Sequence, residues 1–292
     1  KKIGLNVKLI KPKIQDLTHY FKVSVPLIVG QSIAVMDEQL FRIFGSMLSV
    51  GAIASFRYAR RIAILPVGVM AQAVGVASFP TMSNLCVGEK FEELKKLIRQ
   101  QIAILYFVNL AIVLVLITNN AEIISLVYER GEFNSSDVLR VSSIMSIVAF
   151  GILPWSLNQI VTRAFYVQSN YWYPVLVGTS ATVLATLIIL NTENKSEISY
   201  ATIIISSLFL YSLILLATLK IDGEKILNKN LISDLIISSV IYFVTLGIIQ
   251  FLPIDNFGKF LYIFISTTII ALSFIVSVSV IKMKYVKINK VR

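Results

Sequence analysis

The sequence predicts an all-α integral membrane protein with about eight transmembrane helices. Of its residues, 56% are hydrophobic and only 15% are charged, whereas soluble domains carry about 25% charged residues. The mean hydropathy is +0.79. The apolar residues form continuous runs of roughly the 20 residues that a helix needs to cross a bilayer, and these runs are too long for barrel strands.

Eight such runs follow one another, and each is predicted to be one span. They cover residues 23–46, 52–80, 101–119, 139–163, 174–191, 199–219, 231–252 and 259–281. The links are short and polar, such as ERGEFNSSD and PIDNFGK. Residues 89–100 carry their apolar side chains on one face, which predicts a short amphipathic helix at the membrane surface.

The net charge of +11 is first an indication of orientation in a membrane protein. Alternate links share a side, and most lysines and arginines of the links fall on the side of the N-terminal segment, the 81–100 link, the 220–230 link and the tail. That side is predicted to be cytoplasmic, with both ends of the chain inside. The sequence has no basic strip with interleaved aromatic residues, so we expect no nucleic-acid partner.

Cys86 and His19 are the single cysteine and histidine of the sequence. They offer neither an internal disulfide nor a His/Cys metal cluster, and a membrane transferase would need an acidic pair or a histidine base. We therefore expect no enzyme, metal or cofactor. Because the chain begins with Lys1-Lys2 and its first methionine is Met36, we expect a fragment or one half of a longer protein.

The first span carries a polar stripe at spacings of seven, four and three residues, formed by Gln31, Glu38, Arg42 and Gly45. Asp37 lies about 100° to one side of this stripe. Glu38 and Arg42 are four residues apart, the spacing of a helical ion pair. Two interpretations stay open: a structural pair that joins helices, or part of a substrate site.

The second span opens with Arg57, Arg60 and Arg61, and each arginine costs roughly 3 kcal/mol at mid-bilayer. Over the first two spans, two acidic residues face four arginines, which leaves two positive charges uncompensated. Arg57 can reach the interface by snorkelling. Arg60 and Arg61 lie deeper, and we expect them to face a water-filled cavity. There the forked guanidinium favours a phosphate-bearing ligand.

Several other features of the spans predict structural roles. Pro26, Pro66 and Pro154 would bend helices and are candidate hinges, although prolines are also common in membrane helices. Arg163 lies near the predicted cytoplasmic end of the fourth span, where we expect a structural anchor at the interface. The last two spans have little polar content and are predicted to face lipid.

Three groups of residues resemble a known family: YARR followed by LPVGV and SFP, the loop YERGEF, and RAFY followed by YP. They are similar to the MviN/MurJ family of lipid II flippases, within the multidrug/oligosaccharidyl-lipid/polysaccharide (MOP) exporter superfamily. The resemblance covers roughly residues 20–190. It implies a bacterial cytoplasmic-membrane transporter with fourteen spans, in two six-helix lobes and one extra pair, that works by alternating access.

On this resemblance the chain corresponds to spans seven to fourteen. Residues 1–22 are then a cytoplasmic N-terminal segment, 23–219 the C-terminal six-helix lobe, and 220–292 the two extra helices with a basic tail. The N-terminal lobe, in the same or a separate chain, is an implied partner. A non-transporting scaffold stays an alternative, because a single lobe cannot close a cavity between two lobes.

The resemblance also implies the substrate, an undecaprenyl-pyrophosphate-linked peptidoglycan precursor (lipid II) whose pyrophosphate is held by cavity arginines. Its tail would lie among membrane lipids, in a groove beside the extra pair. Arg61 stands where the family keeps a cavity arginine, and Arg60 stands where the family often has an acidic or small residue. The candidate substrate-binding residues are Gln31, Glu38, Arg42, Arg57, Arg60 and Arg61.

Two further points stay open on the resemblance. Asp37 stands where some members use an aspartate for a cation or for gating, but the span that would supply its acidic partner has no acid. An exporter of other lipid-linked oligosaccharides, of the O-antigen or capsule type, is an alternative to a lipid II flippase. An exporter of cationic drugs is disfavoured because the predicted cavity is net positive.

Overall fold

The computed structural model describes residues 14–251 and 259–290, and side chains are described within residues 18–30, 35–251 and 261–279. These residues form twelve α-helices and one short hairpin. The helices are α1 (Ile14–Ala34), α2 (Met36–Gly45), α3 (Ala52–Pro66), α4 (Ala73–Val87), α5 (Phe91–Thr118), α6 (Asn120–Tyr128), α7 (Ser135–Val148), α8 (Ile152–Val167), α9 (Trp172–Asn191), α10 (Glu197–Thr218), α11 (Lys229–Phe251) and α12 (Lys259–Lys290); the hairpin strands are β1 (Lys220–Ile221) and β2 (Glu224–Lys225).

Seven stretches of helix in the described part are long and apolar enough to cross a membrane. They are Ala52–Val87, Phe91–Thr118, Ser135–Val167, Trp172–Asn191, Glu197–Thr218, Lys229–Phe251 and Leu261–Ser279, and a shorter apolar helix covers Tyr20–Gly30. The predicted all-α, multi-span architecture is confirmed. The division into a lobe and an extra pair stays a prediction, and most of the predicted N-terminal segment lies outside the described residues.

Two element predictions were wrong in detail. The first span, 23–46, is not one helix, because α1 ends at Ala34 and α2 begins at Met36. Residues 89–100 are not a separate amphipathic helix, because α5 runs without a break from Phe91 to Thr118. No proline or glycine lies between those two ends, so the polar first turns simply continue into the apolar span.

The second span is a single path of helix with a wider turn at its middle. Pro66 ends α3, and Val67–Gln72 form a π-helical segment before α4 begins. Proline removes one backbone donor and so frees a carbonyl in the preceding turn. π-helical turns inside α-helices occur frequently at functional sites. A comparable irregularity lies before Pro154, where Ala149–Gly151 form a 3₁₀ turn.

Ion pairs and hydrogen bonds join the links on each side of the bundle. At one end, Arg140 binds Glu197 and donates to the Val50 carbonyl at 2.8 Å. At the opposite end, Lys95 on α5 binds Glu224 of the hairpin at 2.5 Å. The links therefore group on alternate ends, as the predicted topology requires, while the assignment of one end as cytoplasmic stays a prediction.

The last two helices pack on α5 as well as on each other. The Tyr106 hydroxyl lies 2.7 Å from the Ser239 hydroxyl, and the Tyr242 hydroxyl donates to the Phe107 carbonyl at 3.3 Å. Ser266 on α12 donates to Asn119 at 2.7 Å. The prediction that these spans face lipid is therefore wrong for the side that packs on α5, and it stays a prediction for the opposite side.

Candidate functional site

An open cavity of about 540 Å³ lies beside the junction of α2 and α3. We call it the arginine cavity, and its lining residues are Glu38, Ala54, Arg57, Tyr58, Arg60, Arg61 and Ile64. The break after Ala34 makes Asp37 and Glu38 the first turn of α2, where the helix dipole favours acidic side chains. The second and third turns of α3 bring Arg57 and Arg60 against them.

Arg60 is fully engaged by α2. Its Nε and Nη2 atoms donate to the two oxygens of Asp37 at 2.8 and 3.3 Å, and its Nη1 lies 3.1 Å from Glu38 Oε2. The guanidinium carbon also lies 5.3 Å from the ring centre of Trp155. The Asp37 side chain is 1% exposed and that of Arg60 is 13% exposed, so this is a buried ion pair with a cation–π contact.

The predicted pair between Glu38 and Arg42 does not form. Glu38 instead lies between Arg60 and Arg57, with its Oε1 3.7 Å from Arg57 Nε. The Arg42 side chain is exposed, and no carboxylate among the described side chains lies within 4 Å of it. A pair along one exposed helix face is worth only about 0.2–0.5 kcal/mol, so the contact to the buried Arg60 dominates.

The two uncompensated charges counted in the sequence can now be assigned. Asp37, Glu38, Arg57 and Arg60 form a neutral group, which we call the α2–α3 cluster. Arg42 and Arg61 are the arginines left over. Of these two, Arg61 lines the arginine cavity, and its side chain is exposed with no carboxylate of the described part within 4 Å.

The remaining predicted residues fall in different places. Gln31 lies on α1, but its side chain is outside the described ones. Both oxygens of Asp37 are taken by Arg60, and the described residues hold no group of three or more His, Cys, Asp or Glu that could bind a metal. Pro26 is buried within α1, and Pro66 and Pro154 adjoin the irregular turns.

The predicted anchoring of Arg163 at the interface stays a prediction, but its guanidinium reaches along the helix and lies against α4. Its Nη1 atom would stand 2.8 Å from a Cβ added to Gly75 on α4. It lines a second cavity of about 340 Å³ inside the helix bundle, which we call the intralobe cavity. Sequence reasoning missed this cavity, although the polar residues Asn158, Gln159 and Thr162 on the same helix pointed towards it.

The aromatic residues beside the arginine cavity were also missed. The ring of Tyr58 lies 4.7 Å from that of Tyr128 and 5.5 Å from that of Phe133, centre to centre. Tyr128 and Phe133 begin and end the YERGEF motif, and Tyr58 begins YARR. Both motifs are rich in charged residues, yet it is their aromatic residues that make the contact between α3 and the YERGEF loop.

Known proteins similar to this chain share one description. A family model described as "Lipid II flippase MurJ" matches residues 1–285. The chain is 28% identical over 158 residues to a probable lipid II flippase MurJ of Helicobacter pylori (strain ATCC 700392 / 26695), covering 53% of this chain and 33% of that one. It is 29% identical over 151 residues to a namesake from Rhizobium tropici, covering 52% and 26%.

The fold is similar to that of a solved structure described as "Lipid II flippase MurJ, inward closed conformation". The TM-score is 0.74 at 19% identity, and the match covers 94% of this chain and 57% of that chain. At this identity the similarity shows the fold alone. The chain therefore spans a little over half of the length of that structure. The region that matches the H. pylori relative covers about a third of that relative's length.

Proposed function

Because the chain belongs to the MurJ lipid II flippase family, we propose that it forms one part of a transporter that moves lipid II across the bacterial cytoplasmic membrane by alternating access. In this role it acts as a transporter and not as an enzyme. The headgroup pyrophosphate is held in the arginine cavity, with Arg61 as its principal ligand.

The observation that carries this proposal is the free positive charge of Arg61 in an open cavity of about 540 Å³. A guanidinium held at membrane depth without a counter-charge favours an anionic ligand, and its fork suits two phosphate oxygens. Arg57 is the second candidate ligand, because its side chain is 65% exposed and its contact to Glu38 is long, 3.7 Å. Arg60 acts through its neighbours, as a positioning residue.

The α2–α3 cluster supports the choice of Arg61 over Arg60. Two carboxylates already bind Arg60, so a phosphate there would have to displace a buried ion pair. Breaking such a pair costs roughly 3–5 kcal/mol. Arg61 can bind an anion without any such loss.

Conformational change would use the irregular turns. The π-helical segment Val67–Gln72 lies directly after Pro66 and one to two turns beyond Arg61. A bend there would move the arginine end of the span relative to α4. The N-terminal lobe is the partner against which the cavity opens and closes, so we expect residues 1–292 alone not to translocate lipid.

The test is complementation of a bacterium depleted of its own lipid II flippase, with this chain supplied together with the N-terminal lobe. We expect Arg61→Gln to abolish growth and lipid II translocation while the protein still inserts in the membrane. Arg130→Gln is the matched control, because Arg130 is an exposed arginine outside the cavity. Lipid II translocation is measured as cleavage of the precursor by an external hydrolase.

Full translocation by Arg61→Gln would refute the assigned ligand. To test the substrate, the same proteins are expressed in strains that lack a capsule or an O-antigen exporter. Rescue of those strains, without rescue of the flippase-depleted one, would move the assignment to another lipid-linked oligosaccharide.

A further inference from the structure

The intralobe cavity is separate from the arginine cavity and is lined by a different set of polar groups. Asn158, Gln159, Thr162, Arg163 and Tyr166 of α8 line it, with Thr182 of α9. Its charged lining residues are Arg163 and Asp37. Nothing in the proposed transport of lipid II uses this cavity.

The Arg163 guanidinium lies deep in the span although its Cα lies near the end of α8. The thiol of Cys86 on α4 donates to the Val167 carbonyl at 3.3 Å, so these two residues lie at the same level. Gly75, against which the guanidinium packs, comes 11 residues earlier on α4. At 1.5 Å per residue, the guanidinium lies about 12–16 Å from that level, inside the predicted span.

This half-buried charge has no acidic partner among the described residues. Nη1 donates to the backbone carbonyl and the side-chain oxygen of Gln159, at 2.5 and 2.7 Å, and both acceptors are neutral. Among the side chains that the structure describes, no carboxylate lies within 4 Å of Arg163. Asp37 lines the same cavity, but it belongs to the neutral α2–α3 cluster. Among the described side chains that line the cavity, Arg163 therefore contributes a positive charge that no carboxylate pairs.

The cavity wall also contains a buried hydrogen-bond donor that has no partner. The Trp155 side chain also lines this cavity and is buried, with 6% of the residue exposed. Its Nε1–H has no hydrogen-bond partner. This nitrogen is itself closed off from the cavity, so the preference for an anion over a cation comes from the positive charge of Arg163.

We propose that the intralobe cavity binds a small monovalent inorganic anion of the size of chloride, held by Arg163. One monovalent anion balances the charge of the Arg163 guanidinium. A cavity of about 340 Å³ between packed helices accommodates such an ion with part of its hydration shell. The Arg163 guanidinium packs against Gly75 of α4. The anion neutralises this guanidinium and thereby stabilises the packing of α8 against α4.

The test is equilibrium binding of radioactive chloride to the whole chain in nanodiscs of neutral phosphatidylcholine, in gluconate buffer at constant ionic strength. We expect saturable binding of about one chloride per chain, displaced by bromide and not by gluconate. Arg163→Gln should abolish it. Arg130→Gln, a matched loss of one positive charge outside both cavities, should leave chloride binding unchanged.

A second variant covers the case in which Arg163→Gln does not fold. Gly75→Ala keeps the charge but places a Cβ 2.8 Å from Nη1, so it should displace the guanidinium and weaken chloride binding at least tenfold. In the unmodified chain, chloride should raise the Tm relative to gluconate, and the rise should saturate.

Three results would overturn the proposal. The unmodified chain could bind no chloride saturably, or folded Arg163→Gln could bind it with unchanged affinity. Arg61→Gln could instead be the variant that abolishes binding, which would assign the ion to the arginine cavity. None of these results depends on lipid II translocation, so the two proposals succeed or fail separately.

Discussion

Replacing Asp37 by asparagine should destabilise the chain strongly, because this removes the carboxylate that holds Arg60. Asp37 accepts two of the donors of Arg60, at 2.8 and 3.3 Å, and its side chain is 1% exposed. Asparagine has nearly the same shape but no charge. The variant therefore leaves the guanidinium in place and removes its principal counter-charge.

The size of the effect follows from what remains around Arg60. Breaking a buried pair by removing one partner costs roughly 3–5 kcal/mol. Glu38 still lies 3.1 Å from Nη1, and the Trp155 ring still covers the guanidinium. Because Glu38 is 33% exposed, it compensates only in part, so we expect Asp37→Asn to lose about 2–3 kcal/mol. Arg57→Gln, which removes an exposed pair, should lose less than about 0.5 kcal/mol.

The single cysteine provides the assay. Cys86 is half-buried and bound to the Val167 carbonyl, so a thiol-reactive dye reports its exposure as the chain unfolds on heating. Asp37→Asn, Arg60→Gln and the double variant form a double-mutant cycle. We expect the double variant to lose less than the sum of the single losses. Additive losses, or an Asp37→Asn variant as stable as the parent, would refute the buried pair.

Two further predictions use the same dye assay. The Lys95 hydrogen bond lowers the pKa of the exposed Glu224 carboxyl, so the contact stabilises the fold above the unfolded pKa of about 4.3. It should be lost as the pH falls through the lower folded pKa, and Glu224→Gln should remove this part of the pH dependence of Tm. Gly51→Ala should destabilise more than Gly131→Ala. Both glycines have positive φ, +91° and +61°, which costs an L-residue about 1–2 kcal/mol at either position. Only at Gly51 does the added Cβ also meet a neighbour, Arg140 Nη1 at 2.8 Å. Equal losses of stability in the two variants would contradict this prediction.

Hydropathy and length were sufficient to predict the spans, because every helix that crosses a bilayer needs about 20 mostly apolar residues. The surplus of two positive charges was also correct, since it depends only on composition. The identity of the surplus arginines was not predictable. Spacing along one helix suggests Arg42 as the ion-pair partner of Glu38. In the fold, the partners of Glu38 depend on how α3 packs against α2.

Arg163 shows a second limit of sequence reasoning. Its distance from the end of the span suggests an interface, but helical side chains lean towards the N-terminus, and Gly75 leaves room for the guanidinium on the facing helix. Neither the direction nor the vacant space is visible in one span read alone. The break at Val35 was equally hidden, because neither proline nor glycine marks it.

The pairing of Arg60 gives a physical reason for two adjacent arginines at the proposed pyrophosphate site. Without Arg60, Asp37 and Glu38 would present two negative charges beside the cavity, and these would attract Arg61 and repel a pyrophosphate. With Arg60 in place, Asp37 is neutralised from the buried side, and the remaining charge of Glu38 is shared with Arg57. Arg61 then has no carboxylate partner among the described residues and lines the arginine cavity. On the proposed function, Arg60 would therefore support anion binding without touching the anion, as the residue that occupies the competing carboxylates.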